Sequence, residues 1–469
     1  MFVFMLKRIV LILLLMIQPM FAWAESDINS DGAQSQTIIR KDESGNVTGL
    51  MMTGMDAIKL AGKLVDMGDY EHASQILTKL PTTDSTEVET ERWYLLAQIF
   101  QRTGDYDDAI KIYREILDER PDLAKVRYEL ALCYMAKEQW YRADYQLRLA
   151  MAGDDISQRV KQQMMYYRYV ARQNKRWNVW FNFGAAPDNN VNQATGGNEC
   201  IMYGGYPFCH ELPKPEKAIG YNLSLGGNYE FVLSDQWRWK NEANIYINMY
   251  DKHQYDDLYL SVSSGPRYIW ENGDVWLAGI ASRRWYGGEK YNWSAGGKLD
   301  THYDWTRKFS TGLSLRVMQN TFDENGKFMD GETYSIAPYT TYSIDSSKYL
   351  VWRGGIDRDT AGADAYADWR YGTGIGFGAE LPWGFNVYLE PYFSWVKYDG
   401  PRWAVKDNAY QPVKERDFLQ RYTVSLSNNK IDVLGFVPTL TFSYTSRDSN
   451  IHSREYDKFT TEFSFRQRF

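Results

Sequence analysis

Histidine and cysteine are scarce, five and three among 469 residues. None of the eight stands in a spacing that makes a nucleophile site or a complete metal set. No G-x-x-x-x-G-K-[ST], G-x-S-x-G or H-E-x-x-H run occurs, so no nucleotide motor, serine hydrolase elbow or zinc protease is encoded. An excess of positive charge is missing too: 53 Lys and Arg face 60 Asp and Glu, a net charge of −7. That balance excludes general nucleic-acid binding. After residue 24 there is no long uncharged apolar run, and mean hydropathy is negative. A helical membrane protein is thereby excluded. A β-barrel, whose strands carry a weak alternating signal, is not.

What the chain does have is aromatic residues, 16% of its length, including 36 Tyr and 17 Trp. Its first segment, 1–24, reads as a secretory signal. Lys7 and Arg8 precede an apolar core over 9–17, and Ala22-Trp23-Ala24 sets cleavage after Ala24. Export puts the cysteines in an oxidising compartment. Cys200 and Cys209, in a Gly-rich loop, are expected to form a disulfide. His210 adjoins them, but two Cys and one His without a fourth ligand do not make a zinc site. Cys133 lies in a helical pattern and reads as a buried small hydrophobe. Residues 25–53 are polar with little periodicity and read as a flexible linker.

From Gly54 the pattern becomes helical and repeats. Over 90–123, Trp93, Leu96, Ala97, Phe100, Gly104, Tyr106, Ala109, Tyr113, Ile116 and Pro121 fall at the 34-residue tetratricopeptide spacings. Leu60, Ala61, Leu64, Gly68, Tyr70, Ala73 and Leu77 repeat them before, and Leu130, Ala131, Tyr134, Trp140, Ala143 and Leu147 after. A further helix over 156–173 would close the stack, giving a repeat domain over 54–173. Its concave side, built from the first helix of each pair, would present Tyr94, Gln98, Arg102, Lys125 and Tyr128. These are either a client-binding groove or ordinary solvated positions.

From Arg176 the period switches to two. Fourteen strands are expected over 174–469, beginning near Arg176, Ile219, Gln236, Asp257, Val275, Tyr291, Phe309, Thr333, Lys348, Ala367, Phe385, Lys414, Gly435 and Asp457. The last of them sets Phe459, Thr461, Phe463, Phe465, Gln467 and Phe469 against Lys458, Thr460, Glu462, Ser464, Arg466 and Arg468. One face suits lipid and the other a wet lumen. The connections alternate. Those at 233–235, 271–273, 305–307, 345–347, 381–384 and 429–432 are short, whereas 187–218, 323–332, 400–413 and 447–456 are long. Short inner turns and long outer loops are the asymmetry of an outer-membrane barrel. Fourteen strands enclose more space than their own side chains fill. In one strand Gly372, Gly374, Gly376 and Gly378 share the lumen face, reading as a wall bend, a loop seat or a bare track for a sliding polypeptide.

The fold class is therefore α+β and multidomain, a helical repeat solenoid followed by a 14-stranded antiparallel transmembrane barrel. Signal peptide, short tetratricopeptide domain and C-terminal barrel together resemble the surface lipoprotein assembly modulators (Slam proteins) of Gram-negative bacteria. The resemblance rests on the repeats from Gly54 and the barrel from Arg176 to Phe469. It implies an outer-membrane translocon, not an enzyme, with the repeats in the periplasm. Its clients would be surface lipoproteins or secreted haem-binding proteins, with periplasmic chaperones as further partners. Outer-membrane lipid would surround the barrel. A monomer without nucleic acid, metal or cofactor is expected. An exopolysaccharide exporter, which also joins such repeats to a barrel, and a passive porin are the alternatives.

Overall fold

The computed structural model describes residues 38–41, 47–51, 54–83, 85–153, 156–431, 433 and 436–467. The expected signal peptide, its cleavage point at Ala24, most of 25–53 and the terminal Phe469 lie outside the described residues. Within the expected linker two short strands pair antiparallel, β1 (Ile38–Lys41) and β2 (Val47–Met51). This corrects the structureless reading. Ile38, Ile39, Val47 and Leu50 favour extended backbone, but are too few among polar neighbours to show a period.

Two compact units divide the chain at Glu89 and Thr90. In the first, α1 (Met55–Met67) ends on Gly68 at φ 83°, and α2 (Tyr70–Lys79) begins at once. Glycine takes this left-handed position without a Cβ clash. The Asp69 side chain then caps α2 by accepting from the His72 N–H at 3.3 Å. Ala61, Ala73 and Leu77 are fully buried, since close helix crossing leaves room only for small or interlocking side chains.

Four more repeat helices follow: α3 (Thr86–Thr103), α4 (Tyr106–Glu119), α5 (Ala124–Ala136) and α6 (Trp140–Ala152). Gly104 (φ 94°) and Glu138 (φ 57°) end successive first helices in the left-handed region. Ala97, Ala109, Ala131 and Ala143 are again fully buried. The helix α7 (Gln158–Asn174) lays Met164 into a cluster with Ala131, Leu147, Ala150 and Met151. Its MMYYRYV run thus covers the last repeat's apolar face.

The barrel begins at β3 (Trp177–Asp188). An outer hairpin of β4 (Asn198–Tyr203) and β5 (Tyr206–Glu211) interrupts the ladder. The wall continues with β6 (Ala218–Val232), β7 (Trp237–Tyr250), β8 (Asp257–Trp270), β9 (Gly273–Tyr286), β10 (Glu289–Asp304), β11 (Phe309–Phe322) and β12 (Gly331–Ser343). It ends with β13 (Lys348–Asp359), β14 (Asp368–Glu380), β15 (Phe385–Lys406), β16 (Ala409–Asn428), β17 (Phe436–Ser449) and β18 (Tyr456–Gln467). These fourteen strands form a closed antiparallel barrel in which β18 meets β3. The largest departure from the expected starts is at β16. Residues 400–413, read as an outer loop, instead prolong β15 and β16 into a two-stranded arm. Its tip is Asp407-Asn408, both at positive φ (51° and 60°), as a tight hairpin turn requires.

Outward residues form bands. Aliphatic Val262, Leu277, Val317, Ile336 and Ile375 are exposed around the middle. Aromatics such as Trp177, Trp237, Trp305 and Trp383 are exposed near the short inner turns, and Tyr221, Trp293, Trp369 and Trp395 toward the outer ends of their strands. An apolar belt between two aromatic girdles is the surface a bilayer selects.

Candidate functional site

The groove residues expected from the repeat pattern do not make an open surface. Tyr94 is buried, tilted against Tyr113 with ring centroids 6.0 Å apart. Gln98 donates to its hydroxyl at 2.9 Å, and the Lys125 ammonium lies 4.0 Å from its ring centroid. Tyr128 stacks on Tyr167 of α7 at 6.4 Å, while Arg102 is exposed. Beside them is a polar ladder that the repeat spacing did not mark. Tyr113 donates to Gln101 Oε1 at 2.7 Å, and Gln101 Nε2 donates to Glu129 Oε2 at 3.0 Å. Burial raises the Glu129 carboxyl, although the Gln101 hydrogen bond and the Arg102 and Lys125 charges pull it back. Lys125, Arg102 and Glu129 leave this face mixed in charge.

The glycine stripe is not bare. A Cβ on Gly372 would fall 2.0 Å from the Tyr392 hydroxyl, and one on Gly374 would lie 2.7 Å from the same ring. On Gly376 it would meet the Tyr388 hydroxyl at 2.3 Å, and on Gly378 the Tyr349 ring at 2.2 Å. Tyrosines from the flanking strands thus lie flat over the stripe. The bare-track reading is corrected: the glycines are a seat, but for rings of the wall itself rather than for a loop. Tyr388 is held there by Glu390 Oε2, which accepts at 2.5 Å, and by Arg353, which donates at 2.7 Å.

Cys200 and Cys209 are bonded to each other across the β4–β5 hairpin. Neither sulfur is then free to ligate a metal. Cys133 is buried, and its thiol is pushed up to about 12 by burial. The hairpin exposes Met202, Tyr203, Tyr206 and Phe208, and Met202 N–H bonds to Asn408 O of the β15–β16 arm at 2.8 Å.

The sequence reading passed over the junction between repeat helices and barrel. Buried Arg127 of α5 donates to Glu380 Oε2 at the inner end of β14 at 2.6 Å, and Tyr145 of α6 donates to Oε1 at 2.7 Å. Arg168 of α7 joins Asp144 Oδ1 (2.9 Å) to Asp304 Oδ2 (3.0 Å) at the end of β10. Arg172 also pairs with Asp304 and donates to Glu271 O at 3.1 Å. Lys175 reaches Asp144 Oδ2 at 2.5 Å, and Gln173 reaches Asp235 O at 3.0 Å. Burial alone would raise the Asp144 carboxyl, but Lys175 and Arg168 outweigh it and hold it well below the usual range. Every barrel partner here stands at a short connection. The helices therefore sit at the short-turn end, the periplasmic mouth of such a barrel. One signal could have found this: Arg168, Arg172 and Lys175 follow one helical face, and α7 carries no acidic residue to pair with them.

Against the junction lies a cavity of about 340 Å³, bordered by Arg127, Tyr145 and Glu380 on one side and Thr439 and Arg466 on the other. The lumen wall beyond is charged. Arg267 bridges Glu230 (2.8 Å) and Asp274 (3.0 Å), and Lys240 and Lys298 each lie 3.9 Å from the ring centroid of buried Trp276. Among the described residues, no group of three or more His, Cys, Asp or Glu is placed to hold a metal.

Fold and junction together define an outer-membrane β-barrel protein with tetratricopeptide repeats, whose helices α5 to α7 sit at the periplasmic mouth. Known proteins give the family. The one described as surface lipoprotein assembly modifier matches residues 177–469, and a tetratricopeptide repeat family matches 102–152. The chain belongs to the surface lipoprotein assembly modifier family, and its role lies in surface lipoprotein assembly at the outer membrane. It is 24% identical over 393 residues to "Surface lipoprotein assembly modifier" of Pasteurella multocida (strain Pm70), covering 80% of this chain and 75% of that protein. It is 25% identical over 383 residues to "Surface lipoprotein assembly modifier 1" of Neisseria meningitidis serogroup B, with the same coverage. Among solved structures, a bacterial polysaccharide outer membrane secretin aligns at 12% identity and a TM-score of 0.33, covering 62% of this chain and 98% of that one. That likeness is too slight to weigh on function.

Proposed function

We propose that this chain is a translocon delivering client proteins to the cell surface, in a role without catalysis. Its clients are surface lipoproteins or secreted haem- and iron-capturing proteins. The observation that carries the proposal is the junction, where repeat helices of a protein-binding type are joined to the barrel mouth by buried ion pairs. A client or its periplasmic chaperone held on those helices is already at the entrance. The charged lumen favours passage of a hydrated, unfolded polypeptide. Folding outside then prevents its return, which supplies direction in a compartment without ATP. Client binding falls to Arg102 and Lys125, the exposed members of the face they share with Tyr94, Gln98 and Tyr128. The protein acts as a monomer, after removal of residues 1–24.

Deleting 54–157 while retaining an assembled barrel tests this. Surface labelling of lipoproteins should fall to the level of cells lacking the protein. Undiminished display would remove the repeats from the mechanism.

A further inference from the structure

The long-loop end of the barrel holds a cavity of about 610 Å³, within the range of small-ligand sites. One wall is the disulfide-pinned hairpin. Its register pairs Glu199 with His210 and Ile201 with Phe208, so these four share one face, and all four line the cavity. Trp403 and Tyr410 of the β15–β16 arm and Ser453 and Arg454 before β18 supply the other walls.

Glu199 is unusual for an outer loop. Only 9% of its side chain is exposed, and among the described residues its Oε1 accepts no hydrogen bond. Its Oε2 stands 3.7 Å from His210 Nε2, beyond hydrogen-bond reach. Buried carboxylates are as a rule hydrogen-bonded, because an unmet acceptor has given up its water for nothing. The carboxylate is also held in place. Cys200–Cys209 bridges the hairpin next to it, and the Met202 N–H ties the hairpin to Asn408 O of the arm at 2.8 Å. It is preorganised for a donor from outside the chain.

Trp403 and Tyr410 stack at 5.4 Å between centroids and are 64% and 61% exposed, a flat apolar platform at the rim. Arg454 comes no nearer than 3.9 Å to Glu415 Oε1, and its side chain is 45% exposed. A buried acceptor, an available guanidinium and a flat aromatic face fit a sugar, whose hydroxyls donate and accept and whose C–H face is apolar. A basic peptide would be repelled by Arg402 and Arg454, and an apolar one would leave Glu199 unmet. We infer that this cavity binds an acidic oligosaccharide at the cell surface. Its hydroxyls donate to Glu199, a ring stacks on Trp403 and its acid group meets Arg454. Lipopolysaccharide of the same leaflet and glycans of another cell both carry that chemistry. Such binding is separate from client delivery.

The full chain in lauryldimethylamine oxide micelles, which contain no sugar, is titrated with deacylated lipopolysaccharide core oligosaccharide and, separately, with sialyllactose. Saturation transfer to the sugar protons reads binding. At least one should bind saturably. Glu199→Gln should weaken it about ten-fold and Trp403→Ala about five-fold. Met202→Ala, on the other face of the hairpin, should bind as the parent does, and every variant should keep the heat-modifiable gel mobility of a closed barrel. Binding of the core oligosaccharide alone supports the site and assigns it to neighbouring lipopolysaccharide; binding of sialyllactose supports it and assigns it to glycans of other cells. Transfer to neither sugar overturns the proposal, as does binding that Glu199→Gln and Trp403→Ala leave unchanged. A reduced and alkylated polypeptide that binds where no sugar does, and is lost with Glu199→Gln, makes this a peptide site and overturns it as well.

Discussion

Arg127 and Glu380 lie 253 residues apart and meet at 2.6 Å, joining the third repeat to the foot of β14. The Arg127 guanidinium also donates to Pro121 O at 2.8 Å and to Gln146 Oε1 at 3.0 Å, so it is committed to this place in the fold. Glu380→Ala leaves that buried cation without its carboxylate, at a cost of about 3 kcal/mol. Amide hydrogen exchange in α5 and α6 should quicken while the barrel keeps its heat-modifiable mobility on gels. Unchanged protection would mean that the pair does not hold the helices in place.

Gly296 and Gly297 are neighbours on β10 with opposite requirements. A Cβ on Gly296 would stand 1.9 Å from Val317 O and 2.8 Å from Met318 Cα, both backbone. On Gly297 its nearest neighbour would be Ala278 O at 3.9 Å. Gly296→Ala should therefore force β10 from β11 and reduce assembled barrel several-fold. Gly297→Ala should assemble as the parent does. Equal yields from both variants would show that the wall accommodates the methyl.

Asp144 gives the junction an acid limit. Its folded-state pKa is depressed, so its contribution is complete above the unfolded value of about 3.9 and is lost as pH falls toward the folded one. Helical circular dichroism of the detergent-solubilised protein should lose thermal stability on acidification below about pH 4. Asp144→Asn should be less stable at neutral pH and show a flatter profile. A slope unchanged by the substitution would assign the acid limit to other carboxylates.

The Cys200–Cys209 bond closes a loop with a sequence separation of 9. Replacing both cysteines by Ser should loosen the β4–β5 hairpin by about 2–3 kcal/mol without unfolding the barrel. Chymotrypsin added outside intact cells should then cut after Tyr203, exposed at the tip of the hairpin, faster than in the parent. Equal cleavage rates would show that packing against the β15–β16 arm suffices.

Repetition in space made much of this protein legible beforehand. Fourteen strands at period two, the short inner turns and three 34-residue units all follow from side chains that must alternate or recur to face one way. The β15–β16 arm escaped because Pro401 and Gly400 read as loop, and the Asp407-Asn408 turn lacks the glycine that usually marks a tight hairpin. The groove escaped in part. Spacing placed Tyr94 and Tyr128 on one side of the stack, but not Tyr113 or Tyr167, which cover them.

By itself the sequence determined the repeats, the barrel, its strand number and the disulfide-bearing loop, because each is written in residues close along the chain. Tertiary structure alone decided that Arg127, Arg168 and Arg172 find Glu380 and Asp304, that tyrosines roof the glycine stripe, and that Lys458 ties β18 to Asp188 of β3. The tyrosine roof depends on the register between neighbouring strands, and the other contacts on a closed wall that brings together residues more than a hundred positions apart; no local period records either.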